Sequence, residues 1–402
     1  MKQAYINEMR LMPHIHRMEQ RGVHLAVEQL KRDTDFYYQK LDELDELICE
    51  TVGRRVDVDS NAELADAIEA KGLSKGFATT PTGKRSTAKD SLIGAIADPQ
   101  LLGRLLVRGS IATCLRTFMH PWQMQAESHG KLFIRWNQIR NYTDTGARTG
   151  RLSSSPNLQN IPVEWEGLRA QLASIGYELE FELPSVRRYI VPAPGCIFLA
   201  RDYSAQEMKL LAHFTSGALL ESLRANPGRD IHLIAAEIAG ISRKVAKTLG
   251  FAVLYGAGVG RIAESLGINV SEATAIKRRY LAALPEIKTF QQSLTNAGKT
   301  GQFVETLGGR QYYVQAPAVV NGVFRTFEYK LTNYKIQGSA ADQTKQAMRS
   351  LCEHPESEGE LVLSVHDQLV EQVPIVYAAS EDRVLRDCVN GAYQEVLKYE
   401  VR

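Results

Sequence analysis

Leu361-Val-Leu-Ser-Val365 and Leu369-Val-Glu-Gln-Val373 are two apolar runs of strand length separated only by His366-Asp367-Gln368. Three residues close a hairpin and nothing larger, so the two runs must pair as antiparallel neighbours with Asp367 at the tip. A third run, Cys196-Ile-Phe-Leu-Ala200, follows Pro194-Gly195, reads as a buried strand, and is followed at once by Asp202. Around these strands the periodicity is helical. Amphipathic runs cover 9–20, 30–49, 61–70 (Ser60 as N-cap) and 101–118. Helical spacing then dominates from 205 to 297, broken at Pro227-Gly228, Gly256–Gly260 and Pro285, and returns at 335–353. Lys131 to Ile139 alternates like a strand, and Gln302 to Val314 reads as a hairpin around Gly308-Gly309.

No run of 18 apolar residues exists in the 402, and the polar start of the chain lacks a secretory h-region. Five isolated cysteines make neither a disulfide framework nor a zinc site, so a reducing, cytoplasmic compartment is expected. The net charge is only +2, but it is segregated. Residues 42–69 hold ten acidic and two basic residues; 104–151 hold eight basic and two acidic ones. Such a basic stretch suits a polyanion or a solvated helix face. Gly72 to Ser86 reads as an exposed, mobile tip, and Asp33 and Asp35 as solvated helix surface.

Asp202 and Asp367 each stand at a strand end, held by a sheet yet open to solvent. Side by side, two such carboxylates are too close to stay ionised without a cation, and hard oxygen donors of this kind suit Mg²⁺. Ser204-Ala-Gln-Glu207 matches a capping box opening the next helix. In the helix capped by Ser242, Arg243, Lys247, Phe251 and Tyr255 lie at about 0°, 40°, 80° and 120°, opposite Val245, Leu249, Ala252 and Val253. A face that is cationic at one end and aromatic at the other suits a ligand with an anionic end and a flat end, such as a nucleoside triphosphate. The glycines at 256–260 follow a helix, not a strand, so they read as a helix exit and not as a dinucleotide loop.

Taken in order, these segments resemble the polymerase region of the DNA polymerase I family (family A). Asp202-Tyr-Ser-Ala-Gln-Glu207 resembles its motif A; Arg243 to Gly256, with R-x3-K-x3-F-x3-Y-G, its motif B; and Val365-His-Asp-Gln-Leu-Val370 its motif C. Thr149 to Pro162, Asn333 to Asp342, Asp230-Ile-His232 and Glu305 to Arg310 also resemble family segments. The resemblance implies an α+β right-hand polymerase fold without an exonuclease domain. Residues 1–24 would be a leading helix, 25–130 a helical thumb, 131–208 and 331–402 an antiparallel-sheet palm, and 209–330 helical fingers. It implies template-directed addition of deoxynucleotides to a primer 3′-hydroxyl by a monomer, with two Mg²⁺ ions on Asp202, Asp367 and the Tyr203 carbonyl, and no proofreading.

By the same resemblance, Lys247 is the general acid, and Arg243, His232, Phe251, Tyr255, Glu207 and Tyr203 bind the deoxynucleoside triphosphate. Arg151, Asn157, Gln159, Asn160, Arg310, Asn333, Gln337 and His366 would contact primer-template DNA. Four departures stand out: Gln368 replaces a carboxylate of motif C, Ala205-Gln206 replaces Gln-Ile in motif A, Gly250 replaces an Asn in the striped helix, and Tyr329 or Lys330 replaces an Arg. The alternatives are a single-subunit RNA polymerase, against which Glu207 beside Phe251 argues, and a non-catalytic relative that only binds primer-template DNA, which Gln368 favours.

Overall fold

The computed structural model describes residues 2–80, 83–162, 165–320 and 322–401. The chain divides into two compact units. One gathers Met1–Arg21, Ile134–Ser155 and Ala193–Arg402; the other comprises Gly22–Phe133 and Pro156–Pro192.

The second unit is mainly helical. Val27–Val52 buries Leu30, Tyr37, Leu44 and Ile48 on one stripe and ends at Gly53, whose φ of 78° lets its N–H reach the Cys49 and Glu50 carbonyls. Asn61–Ala70 starts at Ser60, whose hydroxyl accepts the Glu63 N–H at 3.4 Å. Pro99–Cys114 runs through a π-helical turn, Leu115–Met119, into His120–Ala126. Val23–Leu25 is the central strand of a small antiparallel sheet, between Lys131–Leu132 and Ile190–Val191.

Two charge expectations are corrected in this unit. The start of the basic stretch is neutralised by the acidic one. Arg108, 7% exposed, donates to both Asp45 oxygens at 2.8 and 3.1 Å and to Asp59, and Arg104 donates to the Leu47 carbonyl and the Thr51 hydroxyl. Asp33 is not solvated surface: it is buried and accepts from the Tyr189 hydroxyl at 2.8 Å and from Arg188. The tip at 72–86 is largely exposed, with Arg85 tied to Asp66 and Glu69; Pro81 and Thr82 of that tip lie outside the described residues.

The first unit is built on a three-stranded antiparallel sheet in the order Glu360–Val365, Gln368–Pro374, Cys196–Asp202. The connecting turn is shorter than the sequence suggested. Gln368 already pairs with Val365 on one side and Asp202 on the other, leaving His366 and Asp367 as the turn. His366 takes a left-handed φ of 58°, as a two-residue connection demands. Cys196–Asp202 is half-buried and not a buried strand; it is one edge of the sheet, while the opposite edge, Glu360–Val365, is buried from Leu361 to Ser364. Lys330–Cys352 packs on the sheet and on the helices Lys2–Arg21, Gln206–Thr215 and Ala378–Gly391. Seven helices fill 206–299 and break at the expected places, and Val304–Glu305 pairs with Gln311–Tyr312 as the expected hairpin.

Candidate active site

The strand pairing brings the two carboxylates together. Gln368 lies opposite Asp202 in register, the Tyr203 N–H donates to the Asp367 carbonyl at 3.3 Å, and the Asp367 carboxylate stands close enough for its charge to act on Asp202. Burial, followed by the charge of Asp367, pushes the Asp202 carboxyl up to about 6. Two carboxylates this near each other favour a shared proton or a cation, so this hard-oxygen donor set fits a divalent metal. Among the described residues no group of three or more His, Cys, Asp and Glu could hold a metal, so a cation here would need further oxygens from substrate or water. The Tyr203 side chain is turned into the core, its hydroxyl donating to the Val389 carbonyl at 2.8 Å; only its backbone is left to face a ligand.

Glu207 does not form the expected capping box. The helix Gln206–Thr215 starts from Ala205, at a φ of 50° and without a side-chain cap. The Glu207 carboxylate, 7% exposed, is instead an acceptor for Arg151 Nη2 at 2.5 Å, the Tyr255 hydroxyl at 3.1 Å and Gln337 Nε2 at 3.4 Å. Burial and the adjacent carboxylate push the Tyr255 phenol up to about 12, so it stays a donor.

The striped helix forms as Arg243–Tyr255, with Ser242 accepting the Val245 N–H and Gly256 closing it at a φ of 66°. Its face is the one expected: Arg243, Lys247 and Tyr255 are exposed and Phe251 half-buried, while Leu249, Ala252 and Val253 are buried. Phe251 stacks on Tyr255 at 6.3 Å and lies 5.8 Å from the His232 ring. Arg243 donates through Nε to Asp230 at 2.8 Å, and Asp230 also caps the helix Ile231–Ala239. His232 is buried, which holds its imidazole below the usual range. Asp230 opposes that shift, Lys247 and Arg243 add to it, and Nδ1 has no partner among the described residues. Gly250 has a packing reason that the sequence did not show: a Cβ there would meet the Met208 sulfur at 2.8 Å.

The expected DNA-binding residues scatter more widely. Gln337 joins the Glu207 cluster, and Asn333, one helical turn earlier, keeps a buried Nδ2 without a partner among the described residues. His366 sits in the turn beside Asp367. Arg310, expected to contact DNA, is 13% exposed and engaged by Glu8 and Asp342. Asn157, Gln159 and Asn160 belong to the other compact unit, where the Asn157 side chain accepts the Gln159 and Asn160 N–H groups at 3.1 and 3.2 Å. Sequence reasoning gave no role to Glu8, Lys345 or Asp342; Asp342 closes a segment that resembles the family, whereas Glu8 and Lys345 carry no signal beyond their charge.

A sequence model described as DNA polymerase family A matches residues 27–402. The thermostable DNA polymerase I of Thermus filiformis is 32% identical over 398 residues, covering 96% of this chain and 45% of that protein. The corresponding Thermus aquaticus protein is 30% identical with the same coverage. DNA polymerase I of Deinococcus radiodurans is 32% identical over 373 residues, or 89% of this chain and 37% of that one. The chain thus spans less than half the length of these relatives. A solved structure, the POL domain of Pol1 from M. smegmatis in complex with DNA primer-template and dNTP, superposes with a TM-score of 0.80 at 22% identity. That superposition covers 98% of this chain and 68% of that one, and it shows the shared fold.

Proposed function

The chain belongs to DNA polymerase family A, and on that premise we propose that it extends a primer 3′-hydroxyl with template-selected deoxynucleotides. The observation that carries this reading is the pair Asp202 and Asp367, brought side by side at the end of one sheet by strand register and a main-chain hydrogen bond, within the compact unit that also holds the cation-and-aromatic stripe. Asp202, Asp367 and the Tyr203 carbonyl would hold two Mg²⁺ ions, which supply activation of the attacking hydroxyl and neutralisation of the leaving pyrophosphate.

The chain's own groups do the rest. Arg243, His232 and Lys247 would take the triphosphate oxygens, and Lys247 would donate a proton to the oxygen that leaves the α-phosphorus as the new O3′–P bond forms. Phe251 would pack on the nucleotide, with Glu207 limiting the space at its sugar. Tyr255 would sit by the templating base. Arg151, Gln337, Asn333 and His366 would contact the primer end. Asn157, Gln159 and Asn160 would reach the minor groove, whose acceptors are alike in every Watson–Crick pair. We read 25–130 as the thumb, 131–208 and 331–402 as the palm and 209–330 as the fingers. We assign no editing site to Asp33 and Asp35, since Asp33 is already committed to Arg188 and Tyr189.

Primer extension with Mg²⁺, with and without a chelator, tests the proposal. Asp202→Ala and Asp367→Ala should each abolish extension while gel-shift affinity for the duplex is retained. Robust extension by either variant overturns the metal assignment. If the wild type binds duplex but never extends it, the non-catalytic alternative, favoured by Gln368 beside Asp202, takes its place.

A further inference from the structure

Glu8 lies on the helix Lys2–Arg21, and its carboxylate is the meeting point of three donors from distant segments: Lys345 Nζ at 2.8 Å, Arg310 Nη2 and Gln138 Nε2. Arg310 turns its Nε to Asp342 at 2.6 Å, and Asp342 also accepts the Gly308 N–H at 2.9 Å and the Thr306 hydroxyl. The side chains of Glu8, Arg310, Asp342 and Lys345 are 14, 13, 4 and 7% exposed. Two anions balance two cations, so loss of any one leaves a buried charge without its counter-ion.

This cluster grips both ends of the segment 138–150. At the first end, the Gln138 carbonyl accepts Lys345 Nζ at 2.8 Å while its amide bonds Glu8. At the other, Gly150 has a φ of 80°, and a Cβ there would meet Arg310 Cζ at 2.9 Å, so the guanidinium lies against its backbone. Arg151 is the next residue, and it reaches Glu207 at 2.5 Å. Between the two ends, residues 141–145 are exposed.

We infer that Glu8 is a positioning residue: through Arg310 and Gln138 it fixes the backbone from which Arg151 orients Glu207 against Tyr255, and so sets nucleotide selection. This rests on the polymerase reading. Glu8 touches no reacting group.

The test compares Glu8→Gln, which keeps the shape and removes the charge, with Leu11→Ala. The latter opens a hole under the same helix at a residue 1% exposed and outside the cluster. Three quantities are measured: the melting temperature, single incorporation of deoxy- and ribonucleotides, and amide exchange over 139–152. Glu8→Gln should raise the deoxynucleotide KM and lower the deoxy-over-ribo ratio by about tenfold each, with a smaller change in kcat. It should also speed exchange over 139–152. Leu11→Ala should lower the melting temperature and leave selection and exchange at wild-type values. The inference is overturned if Glu8→Gln moves only the melting temperature, or if Leu11→Ala shifts selection equally. If the wild type extends no primer, the polymerase reading falls, and exchange over 139–152 decides the clamp by itself.

Discussion

The N–H of Tyr203 donates to the carbonyl oxygen of Asp367 at 3.3 Å, tying the residue after one carboxylate, Asp202, to the backbone of the other. The two acids are therefore brought together by main-chain bonds and not by their own attraction. Their mutual repulsion is a standing cost that the fold bears.

That cost grows with pH and is removed by a cation. The Asp202 carboxyl titrates near 6 in the folded chain against 3.8 as its ordinary value, so the folded state binds the proton more tightly. Its contribution is present at low pH and is lost as pH rises toward and through about 6. Mg²⁺ should accordingly raise the melting temperature more at pH 8 than at pH 5. Equal shifts at the two pH values, or the same shift in Asp202→Asn, would count against the site.

Glu371 is a second buried acid, on the middle strand, 0% exposed, with no donor to either oxygen among the described residues and the Glu381 carboxylate beside it. Burial, and then Glu381, pushes it up to about 8 from an ordinary 4.5. It folds protonated, and stability falls as pH climbs from the ordinary value to about 8. Glu371→Gln should stabilise the protein, by on the order of a few kcal/mol at pH 9 and much less at pH 5. Denaturant melts at the two pH values check this.

Sugar selection should reside in Glu207 and Phe251. A ribose 2′-hydroxyl would press on a carboxylate already committed to Arg151 and Tyr255. Glu207→Ala should lower the deoxy-over-ribo incorporation ratio by about tenfold. Phe251→Tyr, which adds a hydroxyl at the same face, should improve use of dideoxynucleotides. Single-nucleotide incorporation by the two variants reads both ratios, and unchanged ratios in both would remove the striped helix from the sugar.

Salt dependence should separate the two halves of the basic stretch. Arg135 and Arg148 are exposed, whereas Arg108 is spent on Asp45 and Asp59. Removing Arg135 and Arg148 together should flatten the log affinity against log salt slope by roughly 0.9 for each phosphate that is no longer neutralised. Arg108→Ala should leave the slope unchanged and lower stability by about 1–2 kcal/mol. Titrations of a labelled duplex at several salt concentrations, with parallel melts, distinguish the two effects.

What the sequence made legible was local. A turn of two or three residues between apolar runs forces a hairpin, and a four-residue spacing puts Arg243, Lys247, Phe251 and Tyr255 on one face whatever surrounds them. What stayed hidden was non-local. The Glu207 partners lie 56, 48 and 130 residues away, and they override a capping pattern that is locally complete. Glu8 and Arg310 are 302 residues apart, so nothing local to either residue signals their pairing. Whether Cys196–Asp202 is an edge or a middle strand depends on its neighbours, and its own residues do not encode it.

The pairing of Gln368 with Asp202 makes chain length, more than side-chain identity, the fragile variable in this part of the molecule. In a two-sided sheet a slip of one residue turns every side chain to the opposite face. Adding a single residue between Asp367 and Gln368 would therefore separate the two acids even with both retained. The segment 138–150, gripped at its two ends, can absorb insertions in its exposed middle. Lineages and libraries that vary this chain should show gaps in the second place and none in the first.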